Sequence, residues 1–273
     1  MAAKRSWASA LVPAWLAVVI LGIIEGVTEF LPISSTGHLL LAENSHWLPQ
    51  QSDLFNITIQ SGAALAVLFV FSTRVRQLLS SLGEPATRDY VAKLVLAFVI
   101  TGVGGLLLKK LGFTLPKETA PIAWATLLGG IAILLIEWMV RGRSQRPDIT
   151  WLTAVVVGFA QLLAAVFPGT SRAAATILIA LALGVARPAA TEFSFLVGVP
   201  TLLAAGLYET QHALRHPGPV ATDWGLLVLG TLVSAVTAFI VVRWLIRWIQ
   251  THSFSIFGWY RIALGLAMLT HMF

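Results

Sequence analysis

Along the chain, long oily runs alternate with short polar interruptions. The runs at roughly 54–72, 90–108, 119–140, 190–208, 224–242 and 256–273 approach or reach the length of a bilayer-crossing helix, which takes about 20 mostly apolar residues. They are continuous and lack period-two alternation, so helices are predicted and barrel strands are not. Two further regions break the pattern. Residues 12–31 are long enough, but Pro32 interrupts them and only a short apolar piece, Leu39 to Ala42, follows before Glu43. Residues 149–167 end at Pro168-Gly169, with a short apolar run from Ala173 to Ala186 beyond. Proline ends a helix by removing a hydrogen bond and clashing with the preceding turn. Short apolar runs suit re-entry better than crossing. Each region is expected to form a helix hairpin that enters and leaves on one side.

The two hairpins resemble each other. At an offset of 136, GIIEGVTEFLPISST aligns with GFAQLLAAVFPGTSR, setting Glu25 on Gln161, Pro32 on Pro168, Ser34 on Thr170 and Ser35 on Ser171. The same offset pairs Asn56 with Glu192, Gly62 with Gly198 and Gly129 with Gly265. A duplicated unit follows within one integral membrane domain, 1–273, with repeat one at about 12–140 and repeat two at about 149–273. Each unit carries one hairpin and three spans, an odd number, so the second is inverted relative to the first. The expected fold class is an all-α polytopic membrane protein. It is an inverted-topology repeat with about six transmembrane helices and two re-entrant helix hairpins, a plan in which broken helices meet at mid-membrane. Irregular backbone at that depth is tolerated only where protein or a water-filled cavity surrounds it.

Composition agrees. The chain is 57% hydrophobic and 11% charged, whereas soluble domains carry about 25% charged residues. The absence of cysteine excludes disulfides, thiolate metal sites and cysteine catalysis. The net charge of +6 fits loops facing anionic lipid, and no nucleic-acid partner is expected, because no basic cluster lies on a polar surface. Lys4 and Arg5 precede an apolar run as in a leader, but the run continues into Glu25 and Glu29 without a cleavage site. The predicted loops put ten basic residues on one side (Arg74, Arg76, Arg88, Lys93, Arg141, Arg143, Arg146, Arg187, Arg243 and Arg247) and six on the other (Lys4, Arg5, Lys109, Lys110, Lys117 and Arg215), with Arg172 and Arg261 assigned to neither. The positive-inside rule turns both termini and the mouth of the first hairpin outward. Trp138, Trp151, Trp224 and Trp248 near span ends read as an aromatic belt.

The chemistry gathers at the two breaks. Glu25 and Glu29 are four apart and share a helix face. Two carboxylates one turn apart in apolar surroundings call for a shared proton or a bridging cation. Ser34, Ser35 and Thr36 are cap residues for a helix starting at about Gly37, and a helix N-terminus with free N–H groups suits phosphate. Ser35 and His38, three apart, set a hydroxyl beside an imidazole. In FPGTSRAAAT the break at Pro168-Gly169 is followed by Thr170 and Ser171 as caps and Arg172 in the first turn, with Thr176 one turn on. An arginine at this depth calls for an anion, either Glu25, Glu29 or a phosphate oxygen. Glu137 and Glu192 read as boundary residues. Two acids, hydroxyls, an imidazole, a guanidinium and two helix N-termini are the parts of phosphoryl transfer. A lipid-phosphate carrier or anion transporter needs fewer of them.

EGVTEFLPISSTGH and PGTSRAAAT resemble the two signature motifs of the bacterial undecaprenyl-diphosphate phosphatases of the bacitracin-resistance type. The resemblance runs the whole length. It implies loss of the terminal phosphate from a polyprenyl diphosphate lipid, a divalent cation (Mg²⁺ or Ca²⁺), for which Glu25 and Glu29 are the expected ligands, and residence in the bacterial inner membrane; the charge bias and the inverted geometry turn the site outward. By motif it marks Glu25, Glu29, Ser35, His38, Ser171, Arg172 and Thr176 as functional, with Ser34, Thr36 and Thr170 as further phosphate-binding hydroxyls. A homodimer is compatible with this plan. One departure stands out: the family pattern usually has serine after the arginine, where this chain has Ala173.

Overall fold

The computed structural model describes residues 12–44, 48–112, 118–216 and 221–270; Lys4, Arg5 and Lys117 lie outside them. The described residues form eleven helices and no strand: α1 Ala14–Thr28, α2 Ser35–Asn44, α3 Asp53–Val70, α4 Ser72–Ser80, α5 Pro85–Lys110, α6 Thr119–Val140, α7 Trp151–Val166, α8 Arg172–Ala182, α9 Arg187–Arg215, α10 Trp224–Trp248 and α11 Ser255–Thr270. Local chemistry sets several starts. The Ser52 hydroxyl accepts from the Phe55 N–H at α3, Asp223 accepts from Leu226 N–H at α10, and Pro85 opens α5 where its missing N–H costs nothing.

Five helices, α3, α5, α6, α9 and α10, are long and apolar enough to cross a membrane, and the chain is a multi-pass membrane protein. The sixth expected span appears as α11, whose sixteen described residues give about 24 Å at 1.5 Å per residue; residues 271–273 lie outside the description. Three details depart from expectation. The short α4 was not foreseen, because a polar helix of nine residues leaves no mark on a hydropathy scan. α9 continues to Arg215, through Pro200, well past the oily run. α2 starts at Ser35 rather than Gly37, because the cap is Ser34.

Both expected hairpins are present, α1–α2 and α7–α8. α1 lies along α10, and α7 along α5; α3 joins α9 and α10, and α6 pairs with α11. Glycines allow the closest approaches. A Cβ on Gly22 would sit 2.7 Å from the Gly230 carbonyl, and one on Gly26 would sit 2.5 Å from the Ser234 carbonyl. The largest core cluster includes Phe30, Ile177, Leu181, Phe193, Phe195, Leu245 and Phe254, and so surrounds the places where the two hairpins turn.

Candidate active site

Each hairpin turns through a serine forced into left-handed backbone, Ser34 at φ 73° and Ser171 at φ 67°. Such strain in a non-glycine residue persists only where its surroundings impose it, and it clusters at functional sites. Both serines cap the helix that follows. Ser34 Oγ accepts from the Gly37 N–H at 3.4 Å, and Ser171 Oγ from the Ala174 N–H at 3.2 Å. Ser34 therefore does in the first turn what Ser171 does in the second, one residue away from the pairing an ungapped alignment suggests. Ser35 and Arg172 then hold equal places, each the first residue of its short helix.

These two first residues meet on one carboxylate. Ser35 Oγ donates to Glu29 Oε2 at 2.7 Å, and Arg172 Nη2 donates to Glu29 Oε1 at 2.8 Å. Glu29 ends α1 and is 7% exposed, so the bridge is buried. Arg172 is held further by the Phe30 ring, 5.4 Å from its guanidinium carbon. Its Nε and Nη1 are buried without a partner. Glu25 is fully buried with its carboxyl group against that of Glu29, and no other donor among the described residues reaches either of its oxygens. Burying a carboxylate without donors is costly, so the site holds unmet acceptors on Glu25 and unmet donors on Arg172.

The other candidate residues lie as follows. His38 and Ser35 share no hydrogen bond; the His38 Nδ1 is 2.7 Å from the Ser34 carbonyl and its Nε2 is 2.6 Å from the Tyr260 hydroxyl. Thr176 is buried, and its hydroxyl donates to the Arg172 and Ala173 carbonyls of its own helix. Thr36 is exposed, and Thr170 presents its carbonyl to Arg261. Glu137, in the last turn of α6, is buried, paired with Arg187 and accepting from the Phe254 N–H at 2.8 Å. Glu192 pairs with Arg74 at 2.8 Å, away from the turns.

Two residues beyond the motifs position this site. Arg261 on α11 has no exposure, yet its guanidinium makes five hydrogen bonds, all to backbone carbonyls. It reaches Pro32 at 3.3 Å in the first turn, and Gly169 and Thr170, both at 2.9 Å, in the second. The remaining two bonds go to Ala125 and Thr126 of α6. One side chain thus fixes the two turns to each other. The second is Gly198 on α9, where any Cβ would collide with Arg172 Nη1. Arg261 had a detectable signal, an arginine inside an apolar run; Gly198 had none beyond its pairing with Gly62.

Comparison with known proteins identifies the family. The family model described as bacitracin resistance protein BacA matches residues 18–267. An undecaprenyl-diphosphatase of Rhizobium etli is 50% identical over 256 residues, 93% of this chain and 96% of that protein. One of Xylella fastidiosa is 49% identical over 253 residues, covering 92% and 96%, and one of Xanthomonas axonopodis pv. citri is 46% identical over 255 residues, covering 93% and 96%. The matched span takes in both strained turns, the bridged Glu29 and the Arg261 clamp, and the chain belongs to the bacitracin resistance protein BacA family.

Proposed function

We propose that this protein is an undecaprenyl-diphosphatase that removes the terminal phosphate of a polyprenyl diphosphate lipid at the two hairpin turns. The observation that carries this reading is the Glu29 carboxylate, which accepts from a hydroxyl on one oxygen and from a guanidinium on the other. A carrier needs an anion grip but no hydroxyl held on a base. The names of the relatives, at about half identity over nearly the full length, support the same substrate class.

Ser35 is the nucleophile in this reading. Its Oγ attacks the terminal phosphorus, the bond from phosphorus to the bridging oxygen breaks, and the lipid monophosphate departs. Glu29, already 2.7 Å away, takes the serine proton. Water then cleaves the phosphoserine and releases phosphate. Arg172 and the N–H groups at the starts of α2 and α8 face the charge that grows on the non-bridging oxygens. Ser34, Ser171, Thr36, Thr170 and Thr176 shape these two helix starts, Ser34 and Ser171 as caps. His38 serves the turn rather than the proton transfer, because both of its ring nitrogens are engaged elsewhere. An apolar cleft of about 380 Å³ between α5 and α7, lined by Leu107, Leu162, Val166 and Phe167, is the seat this reading gives the lipid tail.

A divalent cation fits this donor set in one way. Among the described residues no third acidic or histidine side chain joins Glu25 and Glu29, so the protein alone forms no full cage. The unpartnered oxygens of Glu25, with Glu29, match the one or two carboxylates by which Mg²⁺ is held when substrate phosphate and water complete its shell. Glu25 and Glu29 would hold Mg²⁺ or Ca²⁺, which when bound neutralises phosphate charge. The inverted duplication accords with the packing of α1 on α10 and of α7 on α5. The basic residues orient the site toward the outer face of the bacterial inner membrane. A homodimer is compatible with this arrangement.

Purified protein in detergent, given farnesyl or undecaprenyl diphosphate, is expected to release phosphate, and less of it with a chelator present. No release would overturn the reading. Ser35→Ala is expected to lower turnover by at least about 10³-fold, the scale of nucleophile deletions. Turnover near wild type would remove the serine from its role. Gly198→Ala is a milder probe. Its methyl meets the mobile end of Arg172 rather than backbone, so the fold should stand while the guanidinium shifts. We expect about 10²-fold slower turnover, as when one transition-state donor is lost, with a lower melting temperature, because the shifted guanidinium weakens its buried pair with Glu29. Unchanged turnover would show that Arg172 need not sit where it does.

A further inference from the structure

α11 touches the first turn at two points, and only one of them is the Arg261 clamp. The Tyr260 hydroxyl lies 2.6 Å from His38 Nε2, and the two rings are stacked, 3° from parallel, with centroids 5.6 Å apart. On its other side His38 Nδ1 is 2.7 Å from the Ser34 carbonyl. A carbonyl only accepts, so Nδ1 carries the proton. In the neutral ring Nε2 is then an acceptor, and the tyrosine hydroxyl is its donor. The carbonyl secured in this way belongs to the left-handed serine, φ 73°. The next residue is Ser35, whose hydroxyl donates to Glu29. Arg261, adjacent to Tyr260, holds the Pro32 carbonyl two residues earlier. Neighbouring side chains of α11 thus grip the turn on both sides of Ile33.

We infer that Tyr260 is a positioning residue for the reaction: its hydroxyl selects the His38 tautomer whose Nδ1–H fastens Ser34 and so aims Ser35 at Glu29. Nothing in the motifs marks this tyrosine, which lies on another helix 222 residues from His38. The inference rests on the phosphatase reading for its kinetic consequences, and on geometry alone for the tautomer.

The first test needs no turnover. Protein labelled with ¹⁵N-histidine in detergent, with the His38 signals assigned by difference from His38→Asn, should show protonated Nδ1 and a hydrogen-bonded, unprotonated Nε2. Tyr260→Phe should shift the Nε2 signal or mix the tautomers. Protonation at Nε2 alone in the wild type would overturn the inference. The second test is kinetic. Tyr260→Phe should lower kcat about tenfold, the scale of one lost hydrogen bond, with KM within about twofold, because the tyrosine acts on the nucleophile's aim and not on lipid binding. In His38→Asn, which keeps an N–H for Ser34 but has no second ring nitrogen, Tyr260→Phe should add nothing. An unchanged kcat in Tyr260→Phe, or an equal fold-loss in both backgrounds, would overturn it. Because the spectroscopic readout needs no catalysis, it separates failure of this inference from failure of the phosphatase reading.

Discussion

Glu29→Gln is expected to reduce phosphate release about 10⁴-fold, the upper end of what a positioned base contributes. The glutamine is nearly the same shape, so the loss would be chemical. The native carboxylate accepts from Ser35 on one oxygen and from Arg172 on the other. An amide has one acceptor and one donor end. With its NH₂ toward Ser35 the hydroxyl has to accept instead of donate, and with its NH₂ toward Arg172 two donors face each other. The base for Ser35 is gone, and Arg172 is left as a buried charge without its ion pair, a change that costs about 3–5 kcal/mol when a buried pair is broken. A lower melting temperature should therefore accompany the lost turnover. Glu29→Asp is one methylene shorter and should reach one turn but not both. Turnover in Glu29→Gln above a tenth of wild type would rule out the bridging acid as the base.

Arg261→Ala should have the largest effect on folding. Three of its five acceptors, the carbonyls of Pro32, Gly169 and Thr170, lie in turns rather than in helix ladders. The Gly169 carbonyl keeps a bond from the Thr126 hydroxyl at 3.4 Å, but Pro32 and Thr170 keep no other donor among the described residues; at about 1–3 kcal/mol for each orphaned acceptor, this consumes a sizeable part of the roughly 5–15 kcal/mol by which a folded protein is stable. Size-exclusion profiles should show little monodisperse protein. Arg261→Lys keeps the charge but not the planar fork; it should yield protein that melts lower and turns over slowly, because an ammonium cannot hold both turns in register. A wild-type profile and wild-type rate in Arg261→Ala would show that the turns keep their places without the clamp.

Much of this site was legible because charge and proline are conspicuous in oily sequence. Glu25, Glu29, Pro32 and Arg172 each stood out against apolar neighbours, and both hairpins were expected from them. The choice between Glu29 and Glu25 as partner of Arg172 was not legible, since both share a helix face. Nor was the register of the turns. Pairing Ser35 with Ser171 is natural in an ungapped alignment, but the first turn reaches its cap one residue sooner, which gives Ser34 that role and frees Ser35 for Glu29. Arg261 stands in YRIALGLAML, and the reasoning applied to Arg172 applies to it equally; its set of carbonyl partners could not be read because they come from α6 and from both turns. Tyr260 was hidden differently, as an aromatic residue close to a helix end where belts of such residues are ordinary.

The packing of α1 on α10 also bears on how the protein is made. The two helices lie about two hundred residues apart in the chain; Gly22 and Gly26 make the contact, and α1 also carries Glu25, a fully buried acid. At synthesis rates of about 5–20 residues per second, the first hairpin leaves the ribosome at least about ten seconds before the helix that covers it. During that interval its acids and its strained serine lack their final neighbours, and the long loop that must close makes the last step slow. Ribosomes stalled before residue 224 should therefore carry a first hairpin open to water-soluble labels, and the released, folded chain should not.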